Sequence, residues 1–251
     1  MASYLVTGSS RGIGLELTRQ LAEKPEHEVG VVFASARSPN TPKFQEVLDQ
    51  FKDRVRYVPL DVTNQESVQN AAKLVADALN GRGLDILINN AGVMKYSPIE
   101  EMDDLEEAFR INVAGVHNVI RAFLPLMRNG DQKKILNIST SLGSITKQPN
   151  YKSSLVPSYK VTKAALNMLT VAYSQSLENE GFSVFCVSPG WCKTDLGSQA
   201  ADLPVETGVA AVLKVLQKTG CEGNGKFFNI HVPGWEENPG MNQYDGKELP
   251  W

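Results

Sequence analysis

The sequence contains few cysteines and histidines, and this shortage limits the sites it can form. Three of its 251 residues are cysteine, without a Cys-x-x-Cys spacing, and three are histidine. An odd number of widely spaced cysteines predicts free thiols in a reducing compartment. Three scattered histidines do not supply a set of metal ligands. We therefore expect a cytoplasmic protein with neither a disulfide framework nor a metal centre.

Long apolar runs and an excess of positive charge are also absent. No run approaches the ~18 apolar residues of a membrane-spanning helix. The first residues follow a strand pattern rather than that of a signal peptide. The net charge is −3, without a basic stripe or a polybasic segment. We therefore expect neither a nucleic acid nor a membrane among the partners.

Short apolar runs alternate with longer amphipathic stretches along the whole chain. The predicted strands are Tyr4–Thr7, Val29–Ser35, Val55–Leu60, Ile86–Asn89, Lys134–Ser139, Ser183–Val187 and Lys226–Asn229. The predicted helices are 12–23, 42–52, 65–80, 101–111, 112–128, 159–180 and 205–219. This alternation predicts an α/β fold with a doubly wound parallel sheet of about seven strands and helices on both faces. No repeat or linker divides the chain, so 1–251 is predicted to be a single domain with an irregular tail at 231–251.

A glycine-rich turn follows the first predicted strand. Gly8, Gly12 and Gly14 are spaced as GxxxGxG, which differs from the dinucleotide fingerprint GxGxxG. The mechanics still apply, because these glycines permit a tight turn, a close approach of backbone N–H groups to a pyrophosphate, and close helix packing. A glycine-rich turn without a ligand has the same pattern. The remaining candidate cofactor contacts of this turn are Ser10, Arg11 and Ile13.

The end of the second predicted strand indicates which dinucleotide would bind. An NAD site usually has a carboxylate there for the ribose hydroxyls. This strand instead ends in Ala36-Arg37-Ser38, without an acid. Arg37 can pair with a 2′-phosphate, and Arg11 can approach the same phosphate from the glycine turn. The sequence therefore favours NADP(H) as the cofactor.

Tyr159 and Lys163 stand four residues apart in a predicted helix, so their side chains share one helix face. A phenol has a pKa near ~10, and a nearby ammonium lowers that pKa by favouring the phenolate. Such a tyrosine can exchange a proton with a carbonyl or alcohol oxygen. The spacing alone also fits a surface pair on a solvated helix, so its interpretation depends on the other motifs.

With the glycine turn in front and this pair behind, the chain resembles the short-chain dehydrogenase/reductase family. Four further motifs match in order and spacing: Leu60-Asp61-Val62-Thr63, Asn89-Asn90-Ala91-Gly92, Asn112, and Pro189-Gly190-Trp191-Cys192-Lys193-Thr194. The resemblance covers nearly the whole chain and implies a Rossmann fold.

The resemblance also implies roles for these motifs. Asp61 and Val62 would lie beside the adenine, and the segment Asn90–Gly92 would shape the cofactor cleft. Asn112, at the start of a helix, would help to hold a proton-relay water. Pro189, Gly190 and Thr194 would seat the nicotinamide. Tyr159 would be the proton donor, and Lys163 would lower the tyrosine pKa and hold the nicotinamide ribose.

The catalytic serine of the family marks the one departure from its pattern. That serine normally follows three residues after the asparagine that ends the fifth strand. Here the run is Asn137-Ile138-Ser139-Thr140-Ser141, so strict counting places Thr140 at the position. A threonine hydroxyl can make the same hydrogen bond, and a bulge would instead present Ser141. Both remain candidates, whereas strand alternation directs Ser139 to the opposite side.

The family resemblance implies an enzyme that reduces a ketone or aldehyde with NADPH, or oxidises the alcohol in reverse. The substrate pocket should form from the loops at about 93–99, 142–157 and 191–204. These loops are rich in apolar and aromatic residues, which suits a bulky apolar or aromatic carbonyl compound. The alternative is a sensor of the same fold that binds NADP(H) without turnover.

Two further expectations come from the resemblance alone. The body of the chain is similar to the sniffer and C-factor carbonyl reductases, and its tail is similar to that of fungal ketoreductases of the norsolorinic-acid type. Members of the family are usually dimers or tetramers, so a homodimer or homotetramer is expected.

Overall fold

The structure, a computed structural model, describes all 251 residues around one parallel β-sheet. Its strands are β1 (Ala2–Thr7), β2 (Val29–Ala36), β3 (Val55–Pro59), β4 (Ile86–Asn89), β5 (Lys134–Ile138), β6 (Ser183–Ser188) and β7 (Phe227–Asn229). Their order in the sheet is β3-β2-β1-β4-β5-β6-β7, and all neighbours are parallel. The predicted doubly wound fold is therefore confirmed, and each predicted strand overlaps an observed one.

Helices cover both faces of this sheet. They are α1 (Gly12–Glu23), α2 (Pro42–Gln50), α3 (Gln65–Leu79), α4 (Leu105–Phe109), α5 (Gly115–Met127), α6 (Pro157–Ser176) and α7 (Val205–Lys218). A buried cluster of 27 residues includes side chains of α1, α2 and α7. A second cluster of 20 residues, on the opposite face, includes side chains of α3, α5 and α6. No helix combines the length and the apolar composition that crossing a membrane requires.

The central strand shows why the strands are apolar at almost every position. Tyr4 and Val6 of β1 belong to the first buried cluster, whereas Leu5 between them belongs to the second. Successive side chains of a strand point to opposite faces of the sheet. Because both faces are covered by helices, every position of the strand must be compatible with burial.

The boundary predicted between helices 101–111 and 112–128 is wrong. A π-turn over Arg110–Ala114 joins α4 to α5 without a break. Asn112 therefore lies inside a continuous helical segment and not at a helix start. A π-turn inserts one extra residue into a helix, and this shift of the apolar pattern resembles a boundary when only the sequence is read.

The C-terminal tail, predicted to be irregular, pairs with the edge of the sheet. Leu249 N donates a hydrogen bond to Phe227 O at 2.7 Å, and Asn229 N donates one to Lys247 O at 2.9 Å. The ring of Trp251 stacks on that of Phe227, with centroids 5.4 Å apart. The tail therefore runs antiparallel to β7 and covers the edge that this strand would otherwise expose.

Candidate active site

A cleft opens at the carboxyl ends of the strands, where the strand order reverses between β1 and β4. Such a switch point is the usual ligand site of doubly wound sheets. The cavity has a volume of about 700 Å³. Of the predicted site residues, only Gly14 and Asn112 do not line it. Those that line it are Gly8, Ser10, Arg11, Gly12, Ile13, Arg37, Asp61, Val62, Asn90, Ala91, Gly92, Thr140, Ser141, Tyr159, Lys163, Pro189, Gly190 and Thr194.

The glycine turn has the tight geometry that its sequence predicts. Gly8 and Gly12 have positive φ angles of 72° and 55°, a backbone region that favours glycine. A Cβ atom on Gly14 would lie 2.2 Å from Gly8 O and 2.5 Å from Asn90 Nδ2. No side chain fits there, so Gly14 lets α1 begin directly against the ends of β1 and β4.

Thr7 and Asn90 tie the ends of β1 and β4 together beneath the cleft. The Thr7 hydroxyl oxygen accepts hydrogen bonds from Asn90 N at 2.9 Å and from Ala91 N at 3.1 Å. The Asn90 amide donates to Thr7 O at 2.9 Å. These bonds fix the distance between the glycine turn and the β4 end, and thereby the width of the cleft at its base.

The first turn of α1 fits an anionic group such as a pyrophosphate. Its N-cap residue, Arg11, makes no side-chain capping bond, so the side chain leaves the first N–H groups of the helix free. Gly12 has no side chain, and a Cβ there would lie 3.5 Å from Thr194 Cγ2. The backbone is thus accessible between the glycine turn and the segment after β6. Helix N-termini of this kind bind phosphate groups.

The cleft end near β2 and β3 is rich in charge. Arg37 is exposed and lines the cavity. Partial burial works to raise the pKa of Asp61, but hydrogen bonds from Thr63 and the positive charges of Arg37 and Arg110 lower it overall. Asp61 is therefore a carboxylate that accepts hydrogen bonds from Thr63 and is stabilised by the positive charges of Arg37 and Arg110.

Arg11 has a partner that the sequence did not indicate. Its guanidinium lies 3.5 Å from the carboxylate of Asp195, in the loop after β6, and both side chains are exposed. An approach of Arg11 to a 2′-phosphate would require this pair to open. Exposed ion pairs contribute only ~0–1 kcal/mol, so opening costs little.

Tyr159 and Lys163 lie on the cavity side of α6. The Lys163 ammonium is 5.6 Å from the centre of the Tyr159 ring and donates a hydrogen bond to Ile138 O at 2.7 Å. Lys163 is only 4% exposed, so this carbonyl is its main replacement for water. The amine is held at the end of β5, beside the tyrosine.

The expected lowering of the Tyr159 pKa by Lys163 is not found. Burial, with a smaller contribution from Tyr96, raises the pKa of Tyr159 above its ordinary value. Burial also lowers the pKa of Lys163 to about 8. Loss of water disfavours the charged form of both groups, and the ammonium bonds to a carbonyl rather than to the phenol. Tyr159 is therefore protonated at neutral pH.

Asn112 is fully buried next to the cleft. Its amide oxygen accepts from Val93 N at 2.9 Å, and its amide nitrogen donates to Val93 O and to Thr162 Oγ1, each at 3.0 Å. A Cβ on Gly92 would lie 3.1 Å from Asn112 Oδ1 and 3.9 Å from Lys163 Nζ. The missing side chain at Gly92 therefore keeps open the space between Asn112 and Lys163.

Thr140 and Ser141 both line the cavity but have different partners. The Thr140 hydroxyl accepts a long hydrogen bond from Leu142 N at 3.3 Å. The Ser141 hydroxyl accepts one from the Tyr151 hydroxyl at 2.9 Å. Ser139 also lines the cavity, but its hydroxyl donates to Asn167 Oδ1 on α6 at 2.6 Å. The two candidate hydroxyls therefore occupy separate polar environments.

The sequence did not indicate two residues that line the cavity. Arg110 lies in the π-turn, and no spacing rule connects it with Asp61. Asn242 reaches the cavity from the C-terminal tail, for which no periodic pattern predicted a position. The composition of the tail offered no signal, because its placement depends on pairing with β7.

Comparison with known proteins agrees with this geometry. A family model described as short chain dehydrogenase matches residues 3–203. The short-chain dehydrogenase/reductase AacuF of Aspergillus aculeatus is 34% identical over 201 residues, which are 76% of this chain and 74% of that protein.

Two solved structures resemble the whole chain. The NADPH-bound carbonyl reductase from chicken fatty liver is 33% identical with a TM-score of 0.87, covering 100% of this chain and 99% of that one. The carbonyl reductase Sniffer of D. melanogaster is 26% identical with a TM-score of 0.86, covering 100% of both chains.

The fold and the cleft define a Rossmann-type oxidoreductase. The chain belongs to the short-chain dehydrogenase/reductase family. The resemblance found in the motifs is thus confirmed, including the likeness to the sniffer carbonyl reductases.

We predict that Thr7→Val destabilises the protein by about 1–3 kcal/mol, because it leaves the N–H groups of Asn90 and Ala91 without their acceptor. Thr7→Ser keeps the hydroxyl and is the matched control. Urea unfolding measures both variants. Equal stabilities would show that this hydroxyl does not hold β1 to β4.

Proposed function

We propose that the protein reduces a bulky apolar or aromatic ketone or aldehyde with NADPH. The observation that carries this proposal is the position of Tyr159 and Lys163, which face a cleft shared by the glycine turn and three apolar loops. The proposed proton donor and the proposed phosphate-binding turn thus line the same cavity. Carbonyl reduction needs a proton donor and a phosphate-binding turn in one cleft, whereas a sensor without turnover does not need the proton donor.

The residues of the cleft fit an NADP(H) molecule along its length. The glycine turn would hold the pyrophosphate, and Arg37 would pair with the 2′-phosphate. Pro189, Gly190 and Thr194 would contact the nicotinamide end. The similar carbonyl reductase from chicken fatty liver holds NADPH, which supports this assignment. When bound, the reduced nicotinamide supplies the hydride for the carbonyl carbon.

Tyr159 would give its proton to the carbonyl oxygen as negative charge develops there. Its raised pKa keeps the phenol protonated before the reaction. The Lys163 ammonium would then stabilise the phenolate that remains, because a fixed charge in a site without water acts strongly. The Thr140 hydroxyl would donate a hydrogen bond to the same carbonyl oxygen. Proton donors of this type contribute about 10²–10⁴-fold in rate.

Reprotonation of Tyr159 would pass along Lys163. The space that Gly92 leaves between Lys163 and Asn112 Oδ1 would take a water molecule. The second lone pair of that amide oxygen, which the bond from Val93 leaves free, would orient the water. Asn112 therefore acts as a positioning residue that connects the amine to solvent.

The walls of the other half of the cleft support an apolar substrate. The apolar and aromatic side chains that line it are Met94, Tyr96, Leu142, Leu155, Val156, Trp191, Leu196 and Met241. Tyr96 and Leu155 are more than half exposed, at 60% and 54%. Large apolar surface at the mouth of a cleft is typical of a binding site.

We predict that Tyr159→Phe lowers kcat for ketone reduction by about 10²–10⁴-fold, because the proton donor is removed, while NADPH affinity changes little. Tyr173→Phe is the matched control, since the Tyr173 hydroxyl bonds His117 outside the cleft. NADPH oxidation followed by absorbance gives kcat, and calorimetry gives the affinity. Normal turnover in Tyr159→Phe would refute the proton-donor role.

We predict that kcat/KM for reduction is highest below the Lys163 pKa of about 8 and falls as pH rises through it. The value of kcat/KM falls with rising pH because deprotonation of Lys163 removes the charge that stabilises the phenolate. In Lys163→Arg, whose guanidinium stays charged, the decline should move to higher pH. An unchanged decline in that variant would assign it to another group.

We predict that Arg37→Ala weakens NADPH binding by about 10–100-fold, because charge-assisted bonds to a phosphate are lost, and leaves NADH binding nearly unchanged. Arg56→Ala removes an exposed arginine of β3 that does not line the cleft, and serves as the control for net charge. Calorimetry gives the dissociation constants of NADPH and NADH for both variants. Equal losses for both cofactors would remove Arg37 from the phosphate site.

A further inference from the structure

A polar cluster interrupts the apolar wall of the substrate half of the cleft. It consists of Ser141, Tyr151 and Asn242, which all line the cavity. The Tyr151 hydroxyl donates to Ser141 Oγ at 2.9 Å and lies 3.4 Å from Asn242 Oδ1. Polar groups placed in an otherwise apolar pocket usually fix the orientation of a ligand.

The cluster has an unused donor and an unused acceptor. Tyr151 has a single hydroxyl proton, and the short bond to Ser141 occupies it. Asn242 Oδ1 is then left with only the long contact at 3.4 Å. The Ser141 hydroxyl accepts that bond, and its own proton has no acceptor among the hydrogen bonds of the protein. A free O–H donor and a free carbonyl acceptor therefore flank the Tyr151 oxygen.

The orientation of Asn242 is determined by its neighbours. Its amide nitrogen donates to the Asp202 carboxylate at 2.7 Å. A carboxylate only accepts hydrogen bonds, so the amide oxygen must point the other way, toward Tyr151. The Tyr244 hydroxyl donates to the same carboxylate oxygen at 2.5 Å and accepts from Trp191 N at 3.1 Å. Asp202 thus couples the tail to the loop after β6 and aims the acceptor into the cleft.

From this arrangement we propose that the substrate carries a hydroxyl group in addition to the carbonyl that is reduced. The hydroxyl oxygen accepts from Ser141, and its proton goes to Asn242 Oδ1. A hydroxyl both donates and accepts, so it satisfies the two groups together, whereas an ether or a second ketone satisfies only Ser141. The inference rests on the proposed function and narrows its substrate class to hydroxylated apolar or aromatic carbonyl compounds.

In this proposal Ser141 and Thr140 have different roles. Thr140 donates a hydrogen bond to the carbonyl that is reduced, and Ser141 donates one to the second polar group of the substrate. A pocket built to bond a hydroxyl discriminates strongly against the analogue that lacks it, because its own polar groups then stay unpaired.

The test compares α-tetralone with its monohydroxy derivatives. These derivatives are isomers of one another and differ only in the position of the hydroxyl group. With NADPH and the 251-residue chain, at least one isomer should show a kcat/KM about 10-fold or more above that of α-tetralone. In Asn242→Leu and in Ser141→Ala this preference should fall toward unity. Gln243→Ala should keep it, because the Gln243 side chain bonds only the tail carbonyls of Asn238 and Gly240.

Three results would overturn the proposal. The first is that no hydroxylated isomer is preferred over α-tetralone. The second is that the preference persists in both Asn242→Leu and Ser141→Ala. The third is that these variants lose kcat/KM equally for hydroxylated and plain ketones, which would make the cluster purely structural. Calorimetric binding of the same ketones separates this proposal from the proposed function. Selective binding of a hydroxylated isomer without turnover would refute the reductase and retain the hydroxyl site.

Discussion

The tie between the ends of β1 and β4 is the constraint on which the site depends. The Thr7 hydroxyl receives two backbone N–H groups from the end of β4, and Gly14 lets α1 begin against the same point. Strand order reverses there, so the neighbouring helices diverge and a cleft must open. The glycine turn, the Asn90–Gly92 segment and helix α6 with Tyr159 and Lys163 are then arranged around that opening.

Desolvation governs the chemistry inside the cleft more than the pairing of charges does. Lys163 gives up water for one carbonyl, that of Ile138, and its pKa falls to about 8 as a result. The same burial keeps Tyr159 protonated. The lysine therefore does not prepare a phenolate in advance. In the proposed reaction its charge would be available when the tyrosine loses its proton, which is the moment at which stabilisation accelerates a reaction.

The strands and most of the helices were predictable from the sequence because their patterns report burial directly. Leu5, Tyr4 and Val6 face two different buried layers, and such a strand is apolar throughout. The motif residues were predictable because their spacing carries a mechanism. Three features were not predictable: the π-turn around Asn112, the ion pair of Arg11 with Asp195, and the side-chain pKa of Tyr159. The π-turn shifts the apolar pattern by one residue and so resembles a helix boundary, whereas the ion pair and the pKa depend on distances and burial across the fold that the order of residues does not encode.

The C-terminal tail divides into two parts with different freedom to vary. The part that follows Asp245 is bound to β7 through backbone hydrogen bonds and the stacked ring of Trp251, and it shields a sheet edge that would otherwise pair with other chains. The part around Asn242 faces the cleft, and the Asn242 side chain makes its hydrogen bonds outside the sheet, with Asp202 and Tyr151. Substitutions in that short stretch therefore alter the wall of the cleft while the pairing that covers the sheet edge stays intact.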